Sequence, residues 1–283
     1  MQLFSDKNNS HDKDSYILAK FLNFVSKNCS FFMITKARIK LIKSLEQRKQ
    51  RNLHHLFVAE GPKLVGELLA TMQPAYVAAL QEWWKENKSK GKSDCEADTI
   101  TAEELQKTSL LRTPQQVIAL FPIPEYKFEA ETAHKELCLA LDGVQDPGNM
   151  GTILRIADWF GIHHVVCSED TVDVYNPKAV QATMGALARV KVHYTNLPEM
   201  LSQSNSPIYG TLLDGNNIYE QELGQCGFIV MGNEGNGLSQ AVRSLVTQKL
   251  YIPNYPIGTQ TTESLNVAIA TSIVCSEFRR RQQ

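Results

Sequence analysis

The chain has 283 residues, of which 21% are charged and 43% belong to the AVILMFWYC set, and its formal net charge is −1. That length allows about two domains with a core of ordinary size, and the composition excludes global disorder. No stretch reaches the ~18 apolar residues of a membrane span; the nearest approach, Phe21 to Ile34, is broken by Lys27 and Asn28 and lacks a small-residue cleavage site.

Residues 1–32 are predicted to form a flexible extension, polar over 1–15, with a second methionine, Met33, opening the better-patterned part. From Ile34 to Asn52 the spacing of Ile39, Ile42 and Leu45 predicts one amphipathic helix, with Lys36, Lys40 and Lys43 on another face. Strand-like LFVAEG (56–61), a helix from Pro62 to Leu69 and a strand from Tyr76 to Leu80 follow. A charged surface loop is expected over 85–98, then a helix at 101–107 and a strand in QQVIALFPIP that stops at Pro122 and Pro124.

A linker at 125–136 separates this small α/β part (33–124) from a second domain (137–283). There, strands at 137–144, 163–169, 190–195, 207–215, 227–232 and 249–254 alternate with helices at 149–160, 177–189, 198–203, 238–247 and 264–281. Near-continuous apolar strands between helices predict a mostly parallel sheet covered on both faces. The six cysteines show no metal or redox spacing, and buried free thiols in a reducing cytosol are expected. The adjacent pairs His54-His55 and His163-His164 cannot converge on one metal, so no metal site is predicted. Charge divides unevenly: residues 1–130 hold 19 Lys+Arg against 15 Asp+Glu, and the remainder holds 10 against 15. A front half facing a polyanion is one reading of that split.

Three segments carry chemistry. DGVQDPGNMGTILR (142–155) is a strand, a tight turn and a helix bearing Asn149 and Arg155. It is either an ordinary turn with a surface arginine or a set of backbone N–H groups and a guanidinium presented to a polar ligand. FIVMGNEGNGLS (228–239) places Gly232, Gly235 and Gly237 after a strand, which implies close backbone approach. Its glycine order matches neither a P-loop nor a dinucleotide fingerprint, and Glu234 would repel a pyrophosphate, so an uncharged or zwitterionic nucleoside suits it better. YIPNYPIGTQTTESLNVAIA (251–270) stops a strand at Pro253 and opens the last helix with Ser264, Leu265 and Asn266, which also suit simple capping.

Taken in order, these segments resemble the three motifs of the TrmH/SpoU branch of the SPOUT class of RNA methyltransferases. The front half resembles the small substrate-binding domain that precedes the catalytic domain in many members, so the resemblance runs from about Met33 to the C-terminus. It implies a C-terminal parallel-sheet domain tied in a deep trefoil knot, with loops near 212–215, 230–237 and 252–265 holding S-adenosylmethionine. It also implies a cytoplasmic homodimer that methylates a ribose 2′-hydroxyl in ribosomal or transfer RNA. By matching positions, Leu212, Gly232, Gly237, Ile252 and Leu265 would contact the cofactor. Arg155, Asn149, Glu234, Ser264 and Asn266 would form the catalytic set, with Glu234 pairing Arg155. The basic face of Lys36, Lys40, Lys43, Arg48, Lys49 and Arg51 would track RNA phosphates. The rival readings are a non-catalytic RNA-binding or ribosome-assembly protein on the same scaffold and a nucleotide-dependent dehydrogenase.

Overall fold

The computed structural model describes residues 34–87, 95–256, 259, 262 and 264–282, so the extension expected at 1–32 and Cys29 lie outside the described residues. The chain divides into two compact units. One takes the chain up to Pro124 together with Tyr175–Ala188; the other takes Glu125–Val174 and Arg189–Gln283.

In the first unit, helices α1 (Lys36–Ser44) and α2 (Arg48–His54) lead to β1 (Leu56–Glu60), α3 (Pro62–Leu69), β2 (Tyr76–Ala79), α4 (Gln81–Glu86), β3 (Glu96–Thr99), α5 (Ala102–Thr108) and β4 (Val117–Pro122). The strands form one mixed sheet in the order β1-β4-β2-β3, with β4 antiparallel to both neighbours and β3 parallel to β2. Ile42, Leu45, Val58, Tyr76, Ile118 and Leu120 are buried in one cluster on it.

Two local features differ from the sequence reading. The single helix expected over 34–52 is two helices, because the turn between them is held from behind: Arg51 Nη1 donates to the carbonyls of Leu45 (2.8 Å) and Glu46 (2.7 Å). The charged stretch expected to be all loop contains β3, where Asp98 Oδ2 accepts from the Tyr76 hydroxyl at 2.6 Å.

The second unit contains β5 (Leu137–Asp142), α6 (Pro147–Trp159) and β6 (His164–Ser168). After α7 (Pro177–Thr183), which packs with the first unit, come β7 (Lys191–Thr195), α8 (Leu197–Ser202), β8 (Ile208–Asn217), β9 (Gly227–Gly232), α9 (Gln240–Arg243), β10 (Gln248–Tyr251) and α10 (Val267–Arg280). Its six strands are all parallel, in the order β10-β8-β9-β5-β6-β7. β5 is buried along its whole length, as a central strand covered on both faces must be. Cys138, Ala140, Phe228, Val230 and Val242 form part of the core against one face.

The helix expected over 177–189 stops at Thr183, because Met184 and Gly185 take left-handed backbone (φ 52° and 101°). A Cβ on Gly185 would sit 2.7 Å from Glu67 Cβ, so the close approach as well as the backbone requires glycine there. The helix expected at 238–247 is the single turn α9. Cys95, Cys138, Cys167 and Cys275 are buried free thiols, and Cys226 is half-buried. No helix among the described residues is long and apolar enough to cross a membrane.

The second unit also buries an imidazole pair. His164 Nδ1 lies 3.1 Å from His193 Nε2 on the neighbouring strand, the rings stack at 5.3 Å, and Phe128 covers both. Burial, reinforced by His164 and Lys191, holds His193 down to about 4 from 6.5. The unfolded chain therefore takes up this proton first as pH falls. Stability from this site is complete above pH 6.5 and declines toward pH 4. Urea midpoints at pH 7 and pH 5 should differ less in His193→Phe than in the parent protein.

Candidate active site at the strand ends

Parallel strands place all their carboxyl ends on one edge, and ligands of such sheets bind outside that edge. Here β5 ends at Asp142, whose Oδ2 accepts from Ser239 N (2.6 Å) at the start of α9. Gly143 follows at φ 71°, with its N–H on Ser168 Oγ (2.9 Å) and Thr171 Oγ1 (3.2 Å). Its carbonyl accepts from Asn233 Nδ2 at 2.7 Å. Asp146 then caps α6 by accepting from Asn149 N (2.8 Å), and Pro147 occupies the first helical position, where no N–H is needed.

The loop after β9 is built by Asn233. Its backbone pairs with Gly237 in both directions (2.9 and 3.0 Å), and its Oδ1 accepts from Gly235 N and Asn236 N (2.9 and 3.0 Å). The sequence reading missed Asn233; an asparagine opening a glycine-rich turn was the available signal. Gly232 lies where a Cβ would meet Gly237 O and Leu238 N, both at 2.6 Å. A third segment, the bulge in β8, is pinned through Asp214, which accepts from Arg243 (2.6 Å) and Lys249 (3.0 Å).

The three motifs meet through side-chain amides. Asn266 caps α10 by accepting from Ala268 N (3.0 Å) and Ile269 N (3.3 Å), and its Nδ2 donates to Asn149 Oδ1 at 2.9 Å. Asn149 Nδ2 in turn donates to Glu234 Oε1 at 3.0 Å. Burial pushes the Glu234 carboxyl up, but the hydrogen bonds from Asn149 and from the backbone N–H groups of Gln145 and Asp146 outweigh it and hold the group below its usual range. An ionised carboxylate only accepts, and the helix N–H groups at the other end only donate. The two ends therefore fix both amide orientations, and the chain of bonds has one direction.

Glu234 is thus the partner of Asn149 and not, as expected from the resemblance, of Arg155: its oxygens are engaged by the turn 145–149. Arg155 is exposed, six residues beyond Asn149 on α6, and makes no hydrogen bond or ion pair among the described residues. Ser264 is exposed and Leu265 is 48% exposed, while Ile252 and Gly232 are half-buried and Gly237 is exposed. Leu212 packs its side chain into the core with Val230 and Leu238, which leaves only its backbone for a ligand. α10 starts at Val267, so Ser264 and Leu265 precede the helix they were expected to open.

On the first unit, Lys36, Lys40, Arg48 and Lys49 are exposed, and Lys43 is exposed with its Nζ on the Ser109 carbonyl (2.6 Å). Arg51 does not join that face: it is 2% exposed and spends its guanidinium on the carbonyls of the α1–α2 turn. Arg51→Ala should therefore cost about 2 kcal/mol of stability in urea denaturation, from carbonyls left unsatisfied.

The architecture is that of an α/β protein whose parallel sheet gathers these loops at one edge, carried together with a small mixed-sheet unit. Residues 136–276 match the SpoU rRNA Methylase family, and residues 36–119 match the MRM3-like substrate binding domain. The 23S rRNA (guanosine(2553)-2′-O)-methyltransferase RlmP of Bacillus subtilis is 32% identical over 250 residues, covering 86% of this chain and 96% of its own. A TrmH-family structure from Porphyromonas gingivalis superposes with a TM-score of 0.79 at 40% identity, over 88% of this chain and 100% of that one. This chain belongs to the SpoU rRNA methylase family.

Proposed function

We propose that this protein transfers a methyl group from S-adenosylmethionine to a ribose 2′-hydroxyl of ribosomal RNA. The observation that carries the reading is the directed chain of bonds Asn266–Asn149–Glu234, which draws three distant motifs together at the strand ends on the helix that also bears Arg155. The relative from Bacillus subtilis, aligned over nearly its full length, is named for this reaction on 23S rRNA.

The residues present suit the donor. The turn 232–237 has glycine at three of its six positions, and a Cβ at Gly237 would meet nothing within 4 Å, so the backbone is open there. We assign Gly232, Gly237, Ile252, Leu265 and the backbone of Leu212 to holding it. When bound, S-adenosylmethionine would supply an electrophilic methyl carbon, its sulfonium sulfur keeping the electron pair of the broken S–C bond. Arg155 donates to the ribose oxygen as negative charge develops there and keeps its own proton, as guanidinium groups do in proteins; the hydroxyl proton leaves to solvent. Asn149, fixed by Glu234 and Asn266, uses its remaining N–H to orient the substrate, and Ser264 lines the same mouth. No metal is needed.

We assign a trefoil knot through the loops 212–215, 230–237 and 252–265, in keeping with membership of the SpoU rRNA methylase family. We also assign a homodimer, working in the cytoplasm. α6 and α10 pack together and leave Trp159 86% and Ile269 55% exposed, apolar surface that a second copy would cover. Trp159→Glu should convert the dimer to monomer by light scattering. The activity itself is tested with labelled S-adenosylmethionine and an unmodified 23S rRNA transcript. Label in a 2′-O-methylated nucleotide is expected; RNA binding without label would leave the non-catalytic scaffold.

A further inference from the structure

A cavity of about 560 Å³ opens in the first unit, between the start of α3, the start of α5 and the loop 112–116 that leads into β4. Its size is that of a small-ligand site. Pro62, Leu80 and Leu105 supply apolar wall, and Arg112, Gln106, Gln115 and Gln116 supply polar groups. Among the described residues none of these four side chains makes a hydrogen bond or ion pair. Three carboxamides and a guanidinium thus converge on one concavity with their donors and acceptors unspent.

The wall is braced in advance. Glu60, buried at the end of β1, accepts from Leu110 N (2.8 Å) and from the Ser109 hydroxyl. Lys43 holds the Ser109 carbonyl. The Gln116 carbonyl accepts from Leu80 N (2.8 Å), and Gly61 N donates to Val117 O (2.9 Å). Gln116 itself sits at φ 39°, a left-handed backbone it shares with His55 and Met184. The first turn of α3 has no acidic residue and no side-chain cap and carries Lys63, which favours an anion at that end. Two carboxylates, Glu103 and Glu104, stand next to the rim in sequence; Glu104 is closed on Thr101 in the capping box of α5, and Glu103 is exposed.

We infer that this cavity takes one splayed nucleotide of the RNA, its phosphate on Arg112 and its base against the apolar wall with its edge read by the glutamine carboxamides. Unpaired bases are read through such edges, and a carboxamide can meet one with a donor and an acceptor together. The assignment rests on the proposed RNA substrate and adds a sequence-reading subsite on residues other than the basic face of α1.

The test uses the full chain with total bacterial RNA containing 4-thiouridine. After irradiation, crosslinked peptides are mapped in the parent and in Arg112→Ala and Gln106→Ala, whose exposed side chains can be lost without unfolding. In parallel, KM and kcat are measured on the 23S rRNA transcript. Crosslinks within 106–116 are expected, together with a KM raised about tenfold in either variant and a smaller change in kcat. Crosslinks confined to other segments, with KM unaltered in both variants, overturn the subsite while methylation stands. Crosslinks at 106–116 without any methyl transfer uphold the subsite and remove the proposed reaction. The absence of both removes both.

Discussion

Arg155→Ala is expected to lower kcat for methyl transfer by about 10²–10³-fold, the usual cost of removing one donor aimed at a developing oxyanion. The side chain is exposed and has no partner among the described residues, so its loss breaks no bond of the folded protein. The melting temperature and the affinity for S-adenosylmethionine should stay near the parent values, which separates a chemical role from a structural one. Arg155→Lys should recover only part of the rate, because an ammonium cannot reproduce the planar fork of the guanidinium. Single-turnover rates with saturating cofactor measure this directly. A rate unchanged in Arg155→Ala removes the residue from the chemistry.

Gly232→Ala is expected to abolish cofactor binding, raising the dissociation constant at least 100-fold by calorimetry, and to cost about 1–3 kcal/mol of stability. The added methyl would press on Gly237 O and Leu238 N at 2.6 Å. Both are backbone atoms, and they belong to a turn already closed by the two Asn233–Gly237 bonds, so relief means displacing the turn. Gly235→Ala is the matched control for stability. Its Cβ would meet only Asn233 Oδ1 at 3.6 Å, ordinary contact, so its melting temperature should be unaltered. Equal loss in the two variants would mean that glycine content, and not the close backbone approach at Gly232, governs the loop.

Local signals explain what the sequence disclosed. Apolar runs such as Leu137–Asp142 and Gly227–Gly232 end in glycine and proline turns, so strands and their following loops are visible in the residue pattern itself. Pro62 and Pro177 mark first helical turns for the same reason, while Pro147, read as part of the turn, opens α6. What escaped depends on partners far away in the chain. Periodicity cannot say that β5 lies beside β9, or that Glu234 answers Asn149 instead of Arg155. Nor can it say that Arg51, one of a row of basic residues, turns inward to hold a carbonyl pair. β3 was hidden because its side chains are polar and its pairing with β2 is supplied by the sheet.

The separation between Asn149 and Asn266 sets an order of events during synthesis. The two residues stand 117 positions apart. At 5–20 residues per second, Asn149 waits about 6 to 23 s for its partner to be made. Glu234 arrives in the interval, yet Asn149 is oriented from both sides only once α10 has docked. In the proposed mechanism, methyl transfer by a nascent chain therefore waits for α10, although the basic first unit is made before it.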